Sequence, residues 1–160
     1  MNKVFVAATR QNDGKTMVSL GLFQAFLQRF KKVGYMKPVG QQYRLIDNEK
    51  IDKDAVLFKE VYQLTDNLKE MSPVAVPRGF TKKFIEEGSE EDLSPHITKS
   101  LASLEKNNDF VLIEGTGHAG VGSVINLSNA QVASLVGAKV ILVTPGGIGS
   151  AIDEIGRAHV

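Results

Sequence analysis

The chain has 160 residues, 42% hydrophobic and 23% charged, which is the size and composition of one globular domain. Its net charge of +1 argues against a nucleic-acid or anionic-membrane partner, and the absence of cysteine excludes disulfides and thiolate-bound metals. No run approaches the ~20 apolar residues that span a bilayer, and the N-terminal apolar run is too short for a signal peptide. We therefore expect a cytoplasmic protein.

The N-terminal segment has the layout of a phosphate-binding loop. A β-prone run at residues 4–8 meets a turn, after which Gly14, Lys15 and Thr16 open a helix. Such a loop directs backbone N–H groups toward an anion at the positive end of the helix. Lys15 would contact the outer phosphates of a nucleotide, and the Thr16 hydroxyl would ligate Mg²⁺. The alternative is an ordinary strand, turn and helix.

The next segment predicts a helix over residues 15–32 and a second strand over residues 33–39. The helix is indicated by large apolar residues at helical spacing, which are Leu22, Phe23, Phe26, Leu27 and Phe30. The strand is expected to end at Pro38. Lys37 at its end would lie near the γ-phosphate and neutralise charge during phosphoryl transfer, unless it is an ordinary surface lysine.

A short helix is predicted over residues 54–62, with Asp52 and Asp54 at its start. Carboxylates in this position suit the helix dipole, which is the simpler interpretation. The alternative makes Asp54 a third acidic group beside a metal ion.

The segment from residue 63 to 94 is irregular, with prolines, a glycine and an acidic run at 86–92. It predicts a solvated insertion that contains a short strand at 74–76. Regular structure returns at Pro95, where a helix presents a face made of Ile97, Leu101 and Leu104.

A continuous apolar strand at 110–113 ends in Glu114 and leads into a glycine-rich loop at 115–122. A run that is apolar on both faces is typical of a central parallel strand. Glu114 resembles a Walker B acid that holds Mg²⁺ directly or through water, although it could simply accept hydrogen bonds from the following glycines. His118 in the loop would contact substrate or transfer a proton, or else be solvated. Zinc is not expected, because no His or Cys stands at ligand spacing from it.

The remaining elements complete an alternating pattern. Ser128 and Asn129 are predicted to cap a helix through about Val136, a buried strand follows at 139–143, and a glycine-rich turn at 145–149 precedes another helix. Strands that alternate with helices predict an α/β protein with a mainly parallel sheet, whose strand ends meet at one ligand-binding edge. Four features are placed at that edge: the phosphate-binding loop, Lys37, Glu114 and Thr144.

In combination these motifs resemble the dethiobiotin synthetase family of P-loop proteins. The resemblance lies in the loop from Ala8 to Thr16, the strand end Lys37-Pro38-Val39, Asp54 and Glu114-Gly115, and it extends over essentially the whole chain. It implies a three-layer P-loop NTPase fold and an ATP- and Mg²⁺-dependent ligase. Members of the family carboxylate a diamine and close a ring, through a phosphorylated carboxylate or carbamate, and are commonly homodimers.

The resemblance assigns roles to particular residues. The residues that would bind the nucleotide are Thr9, Asn12, Asp13, Gly14, Lys15, Thr16 and Met17. Lys15 and Lys37 would be catalytic, because they would stabilise the phosphoryl and carbamate groups. Thr16, Asp54 and Glu114 would surround Mg²⁺. The small-molecule acceptor, which the sequence does not identify, would lie against Gln41, Thr116, Gly117 and His118.

Several departures from the family pattern predict a different acceptor. Gln11-Asn12 replaces the family's Thr-Glu pair, and Gly40-Gln41 stands where a serine helps to hold the diamine. The same core occurs in cobyrinic acid a,c-diamide synthases and in the N-terminal regulatory domain of some phosphate acetyltransferases. The latter similarity implies an alternative function, a nucleotide-binding regulatory domain without turnover. A third hypothesis is an α/β domain that binds no nucleotide.

We expect the domain, residues 1–154, to be truncated at its C-terminal side. A helix should be starting at Asp153-Glu154, and residues 155–160 back-translate readily to a sequencing-adapter oligonucleotide. These six residues are therefore predicted to be a non-native tail. The adenine-recognising part of the family fold would lie beyond residue 160.

Overall fold

The computed structural model describes residues 2–77, 79–86 and 92–158. The strands are β1 (Asn2–Ala8), β2 (Val33–Met36), β3 (Val39–Gly40), β4 (Tyr43–Ile46), β5 (Glu49–Asp52), β6 (Val74–Ala75), β7 (Phe110–Glu114) and β8 (Lys139–Val143). The helices are α1 (Lys15–Leu27), α2 (Lys53–Tyr62), α3 (Leu68–Met71), α4 (Phe80–Glu86), α5 (Ser94–Asn107), α6 (Asn129–Leu135) and α7 (Ser150–Ala158), with a 3₁₀ turn at Ser123–Ile125. None of the helices in these ranges is long and apolar enough to cross a membrane.

A parallel sheet of four strands, in the order β2-β7-β1-β8, forms the centre of the fold. Phe110 of β7 lies opposite Asn2 of β1, and Val143 of β8 lies opposite Ala8 of β1. Every residue of β7 is buried, as expected for an inner strand of a parallel sheet. The structure therefore confirms the predicted α/β class with a mainly parallel sheet.

Strand β8 is less buried than predicted. In the described part of the chain it forms one edge of the sheet, since β1 is the strand that pairs with it. Val140 is 51% exposed, and the last three residues of the strand are half-buried. An apolar run therefore identified the strand correctly but not its position in the sheet.

Helix α1 is shorter than predicted. It ends at Leu27 instead of residue 32, and Leu27 is exposed instead of contributing to the buried face. Phe30 still reaches the core beyond the helix, where its ring stacks on Phe110 with 4.8 Å between centroids. The backbone of Lys32 already exchanges hydrogen bonds with Asp109. The helix ends early because the chain must turn into β2 beside β7.

An aromatic cluster joins α1, α2 and β2. The ring of Phe58 stacks on Tyr35 with 3.7 Å between centroids and meets the edge of Phe23 at 5.4 Å. Tyr62 also packs on Phe23, and its hydroxyl donates to the Leu20 carbonyl at 2.8 Å. Aromatic pairs of this kind add about 0.5–1.5 kcal/mol each beyond the area they bury. The cluster packs the middle and end of α2 against α1 and β2.

The chain between β2 and α5 is more ordered than predicted. β4 and β5 form an antiparallel hairpin that the sequence analysis missed, with Asp47 and Asn48 as its turn, and β6 pairs in parallel with β3. Met71, at the end of α3, is fully buried. The prediction of a solvated insertion over residues 63–94 is therefore wrong around Met71, although the short strand near residue 74 is confirmed.

The predictions for α5 and α6 are confirmed. Ile97, Leu101 and Leu104 are the buried residues of α5. Ser128 caps α6, its hydroxyl accepting from the N–H of Gln131, while the Gln131 side chain accepts from the N–H of Ser128. Two other predictions fall partly outside the described residues, namely the acidic run, of which 87–91 are not described, and the non-native tail, of which 159–160 are not described.

Candidate nucleotide site at the edge of the parallel sheet

The phosphate-binding loop connects β1 to α1 at the carboxyl end of the sheet. Gly14 has φ of +88°, a left-handed conformation that favours glycine, and the Val18 N–H donates to its carbonyl at 2.9 Å. Asn12 is also left-handed, with φ of +72°. Lys15 begins the helix and is only 7% exposed. The predicted strand, turn and helix are confirmed, and they present the loop and Lys15 at the strand ends.

Side chains at the entrance of the loop bind one another. The Arg10 N–H donates to the Asp13 carboxylate at 2.9 Å. The Thr9 hydroxyl lies 3.2 Å from the carboxylates of both Asp13 and Glu154 of α7, and its one hydrogen can be donated to either. Glu154 also accepts from the Arg10 guanidinium, an interaction that raises the pKa of Arg10. Thr9 also contacts the Thr144 hydroxyl at 3.3 Å, so the loop is tied to the end of β8.

A buried network of polar side chains lies behind the loop. Glu114, at the end of β7, is fully buried, and its Oε1 accepts from the Thr16 hydroxyl and from Lys37 Nζ, both at 2.9 Å. Lys37 also donates to Asp54 Oδ2 at 2.9 Å. The helix start, the ends of β2 and β7 and the start of α2 thus converge on one cluster. All of its members were named from the sequence as catalytic or metal-binding residues.

The two lysines of the site experience opposite electrostatic effects. Burial, followed by the positive charge of Lys37, lowers the pKa of Lys15 below its ordinary value. Burial would also lower the pKa of Lys37, but the adjacent carboxylates of Glu114 and Asp54 outweigh it and raise that pKa. Lys37 therefore keeps its positive charge throughout the neutral range.

One carboxylate oxygen of the network lacks a hydrogen bond of good geometry. Glu114 Oε2 and the hydroxyl of Tyr35 are both buried without such a bond to any residue the structure describes, although the two groups interact with each other. Burial and then the charge of Glu114 raise the pKa of Tyr35 well above its ordinary value. A buried oxygen without a partner is costly unless a ligand or solvent satisfies it. Together with the Thr16 hydroxyl and Asp54, this oxygen belongs to the ligand set that Mg²⁺ prefers.

No cluster of three or more His, Cys, Asp or Glu side chains arranged to hold a metal occurs within the described ranges. Magnesium sites in phosphate-binding proteins use one or two carboxylates and complete the shell with phosphates and water. The two carboxylates Asp54 and Glu114 and the Thr16 hydroxyl are a set of this kind.

Asp52 supports the acidic side of the site. It caps α2, accepting from the N–H of Asp54 at 2.9 Å, and also accepts from the N–H of Gln42 at 3.4 Å. It is buried, and this burial raises the pKa of its carboxyl group. A Cβ on Gly40 would come within 2.7 Å of Asp52, so the close approach of β3 requires glycine there. The capping role is the simpler one of the two that the sequence suggested for this pair of aspartates.

The glycine-rich loop after β7 forms the wall next to Lys15. Lys15 Nζ donates to the Gly117 carbonyl at 2.6 Å, and the Thr116 hydroxyl donates to the Val39 carbonyl. His118 is exposed, and its Nδ1 accepts from the Gly120 N–H at 3.2 Å. His118 is thus exposed and bonded within its own loop, and its contact with a substrate stays a prediction.

These elements enclose a cleft of about 270 Å³. It is lined by Gln11, Asn12, Gly14, Lys15, Thr16, Met17, Lys37, Gln41, Gln42, Asp52, Lys53, Asp54, Glu114, Thr116 and Gly117. Most of the predicted site residues are brought together there. Three that are not among the lining residues are Thr9, Asp13 and His118.

Some residues of the site were not predicted from the sequence. Gln42 and Lys53 line the cleft. Gln42 follows the predicted site residue Gln41, and Lys53 lies between Asp52 and Asp54, so their positions could have indicated this. Asn129 was interpreted only as part of a helix cap, but it forms three hydrogen bonds with the loop at 116–118. No local pattern indicated that role, because Asn129 contacts residues that lie 11 and 13 positions earlier in the chain.

Comparison with known proteins shows the family of the chain. The AAA domain family matches residues 2–157. The chain belongs to this P-loop, dethiobiotin synthetase-like family of AAA domains. This AAA domain is 28% identical, over 91% of its length, to a phosphate acetyltransferase of Nitratidesulfovibrio vulgaris. It is 30% identical, over 73% of its length, to ATP-dependent dethiobiotin synthetase BioD 2 of Salmonella typhimurium.

A solved structure shows the same fold. The kinase domain of the Escherichia coli tyrosine kinase ETK aligns with 99% of this AAA domain at a TM-score of 0.57 and 17% identity, and 60% of that domain is covered. The chain spans about a fifth of the length of the phosphate acetyltransferase and about half of the synthetase. The resemblance to the dethiobiotin synthetase family inferred from the motifs is thereby confirmed.

Proposed function

We propose that this AAA domain binds Mg²⁺-ATP in the cleft and transfers the γ-phosphoryl group to a carboxylate or carbamate of a small acceptor. The observation that carries the proposal is the convergence of the phosphate-binding loop with the buried cluster of Thr16, Lys37, Asp54 and Glu114. Phosphoryl transfer needs mainly positioning and charge stabilisation, which are the properties that this cluster offers.

The phosphates would lie at the N terminus of α1. There the loop N–H groups and the positive end of the helix favour an anion. The structure shows a single hydrogen bond from the Lys15 ammonium within the described residues, to Gly117, so two of its three donors stay free for phosphate oxygens. This arrangement supports a role for Lys15 at the outer phosphates.

The metal would be held by Thr16, Glu114 and Asp54. The buried carboxylate of Glu114, whose Oε2 lacks a hydrogen bond of good geometry, and the adjacent Thr16 hydroxyl support this assignment. When bound, Mg²⁺ would neutralise charge on the phosphate oxygens. The protein contributes by placing the ammonium of Lys37 directly against the Glu114 carboxylate, 2.9 Å from its Oε1.

Lys37 would stabilise charge near the transferred group. Its ammonium is buried beside the cleft and stays protonated because of its two carboxylate neighbours. A fixed cation in a site shielded from water stabilises charge that develops during transfer more strongly than a solvated one. The acceptor oxygen would attack the γ-phosphorus and ADP would leave, after which an amine could displace phosphate from the acyl or carbamoyl phosphate.

The acceptor would lie against residues of the cleft that do not belong to the phosphate-binding loop. These are Gln41, Gln42, Lys53, Thr116 and Gly117. Amide and ammonium groups suit a polar acceptor such as a carboxylate or carbamate. A homodimer and a cytoplasmic location, with no nucleic-acid partner, stay predictions from the resemblance and the composition.

A second candidate function is a regulatory domain that binds nucleotide without turnover. The match to the phosphate acetyltransferase covers 91% of this chain, whereas the match to the synthetase covers 73%. Gln11 and Asn12 also occupy the loop positions where the synthetase family carries a Thr-Glu pair. In this case the same residues would bind Mg²⁺-ATP, and no acceptor would be phosphorylated.

The test is ADP release by the full-length protein from Mg²⁺-ATP with bicarbonate and 7,8-diaminopelargonate, compared with ATP alone. Release that depends on the diamine and is abolished in Lys15→Ala, but not in the exposed control Lys99→Ala, would support the synthetase reaction. ATP binding without stimulated release would support the regulatory function. An absence of ATP binding by the full-length protein would contradict both.

A further inference from the structure

We propose that Asn129 is a positioning residue for Lys15, the lysine that follows the phosphate-binding loop. The Asn129 side chain fixes residues 116–118 of the glycine-rich loop after β7, and the Gly117 carbonyl in that segment holds the ammonium of Lys15. The consequence for phosphate binding rests on the proposed function, whereas the positioning of Lys15 itself does not.

The Asn129 side chain uses both ends of its amide on the loop. Its Oδ1 accepts from the Thr116 N–H at 2.9 Å, and its Nδ2 donates to the carbonyls of Thr116 and His118 at 3.1 and 3.0 Å. It is only 6% exposed, so these hydrogen bonds are shielded from water. They bracket Gly117 on both sides and determine the direction of its carbonyl group.

The asparagine is itself held in a fixed position. It is the first residue of α6, directly after the Ser128 cap that is completed by Gln131. On its other side, a Cβ on Gly115 would come within 2.5 Å of Asn129 Oδ1 and 2.8 Å of the Phe5 ring. The loop backbone is therefore packed directly against the amide, and this close approach requires glycine at position 115.

Residue Gly117 of the glycine-rich loop contacts Lys15 at the start of α1. Lys15 Nζ lies 2.6 Å from the Gly117 carbonyl, a charge-assisted hydrogen bond that orients a flexible side chain. Gly117 has φ of +58°, which turns the backbone at this point. A lysine that is already oriented loses less conformational entropy when it binds an anion, so a stable loop should raise phosphate affinity.

The first test measures Lys15 without any nucleotide. The rate at which an acylating reagent modifies the Lys15 amine is followed by peptide mass spectrometry in wild type, Asn129→Ala and Asn67→Ala. We expect modification to be about tenfold faster in Asn129→Ala, because the charge-assisted hydrogen bond is weakened. In Asn67→Ala, which loses the cap of α3 instead, Lys15 should be modified at the wild-type rate. Equal rates in wild type and Asn129→Ala would overturn the proposal.

The second test is a double-mutant cycle on Mg²⁺-ATP affinity. Asn129→Ala should weaken binding about tenfold in the native background and less than about twofold in a Lys15→Ala background, since the effect passes through Lys15. An equal loss in both backgrounds would show that Asn129 acts independently of Lys15 and would contradict the proposal. A purely structural asparagine would give that additive result.

A further variant protects the tests against misfolding. Asn129→Asp keeps the size of the side chain and the acceptor for Thr116, but it loses both donors to the loop carbonyls. If Asn129→Ala does not fold, Asn129→Asp takes its place, with the same outcomes expected and the same outcomes counting against the proposal. If the wild-type chain binds no Mg²⁺-ATP, the proposed function is wrong, and the modification rate of Lys15 still decides whether Asn129 positions it.

Discussion

Lys15 and Lys37 lie in the same cleft but in different surroundings. Lys15 donates to one backbone carbonyl, and no carboxylate forms an ion pair with it among the described residues. Lys37 contacts two carboxylates, Glu114 and Asp54, within 2.9 Å. The pKa of Lys15 is lowered, and the pKa of Lys37 is raised.

The difference separates two functions of positive charge in one site. Lys15 carries a charge that no neighbouring carboxylate compensates by contact, which suits it to attract an anionic ligand. Lys37 compensates the buried Glu114, so a large part of its contribution is already made in the folded protein. Substitution of Lys15 should therefore mainly change ligand affinity, and substitution of Lys37 should mainly change the free energy of unfolding.

The largest expected effect is on stability at Lys37. Lys37→Met would leave Glu114 buried without its cation, and removal of one partner from a buried pair typically costs about 3–5 kcal/mol. Urea unfolding at pH 7 should show a loss of this size. The double variant Lys37→Met/Glu114→Gln should recover much of it, because the uncompensated charge is then absent. A loss no larger than that of Lys99→Met would contradict the account.

The next effect is on affinity at Lys15. Hydrogen bonds to charged groups are worth about 1.5–3 kcal/mol, so Lys15→Ala should weaken Mg²⁺-ATP binding by about 10- to 100-fold. Calorimetric titration measures this change, and urea unfolding should show less than about 1 kcal/mol of lost stability. Unchanged ATP affinity in Lys15→Ala would support the hypothesis of an α/β domain that binds no nucleotide.

The alkaline pH dependence of stability should have opposite signs at the two lysines. The pKa of Lys15 in the folded protein is below the unfolded value of 10.5. The contribution of Lys15 to stability therefore rises with pH between the folded pKa and 10.5. The folded pKa of Lys37 is above 10.5, so its contribution is complete below that pH and is lost as the pH rises through the folded value. The free energy of unfolding is measured from pH 8 to 11.5. Its rise with pH should be absent in Lys15→Met, and its fall at higher pH should be absent in Lys37→Met. The same pH profile in both variants would contradict this assignment.

The smallest expected effect is at Asp52. Asparagine also caps helices, so Asp52→Asn should change stability at pH 7 by less than about 1 kcal/mol, whereas Asp52→Ala should cost about 1–2 kcal/mol. Burial raises the pKa of this carboxyl above 3.8, so the contribution of Asp52 to stability should fall as the pH rises from 3.8 through the folded value. Asp52→Asn should lack this fall. A steeper acid profile in the variant than in the wild type would show that the carboxyl is not disfavoured by burial.

The features that were predicted correctly from sequence depend on local patterns. The apolar run ending in Glu114 identified an inner strand and its polar end, and Gly14-Lys15-Thr16 identified the loop and the start of α1. Strand ends of a parallel sheet share one edge, so topology alone brought Lys37 close to Glu114. Composition and spacing were sufficient for these features.

The features that were missed depend on contacts between distant segments. The burial of Met71 and the bonds of Asn129 to the loop arise from packing that no local pattern indicates. The hairpin is an exception. Asp47 and Asn48 both have positive φ in a two-residue turn, the residue types that such a turn favours, so the sequence did contain evidence for it.

The most direct test of the central claim is a calorimetric titration of ATP into the full-length wild-type protein and its Thr16→Ala variant, each with and without Mg²⁺. The account predicts that wild type binds ATP more tightly with Mg²⁺ than without it, and that this difference disappears in Thr16→Ala. It would be contradicted if wild-type affinity were the same in both conditions, or if Thr16→Ala kept the full magnesium dependence.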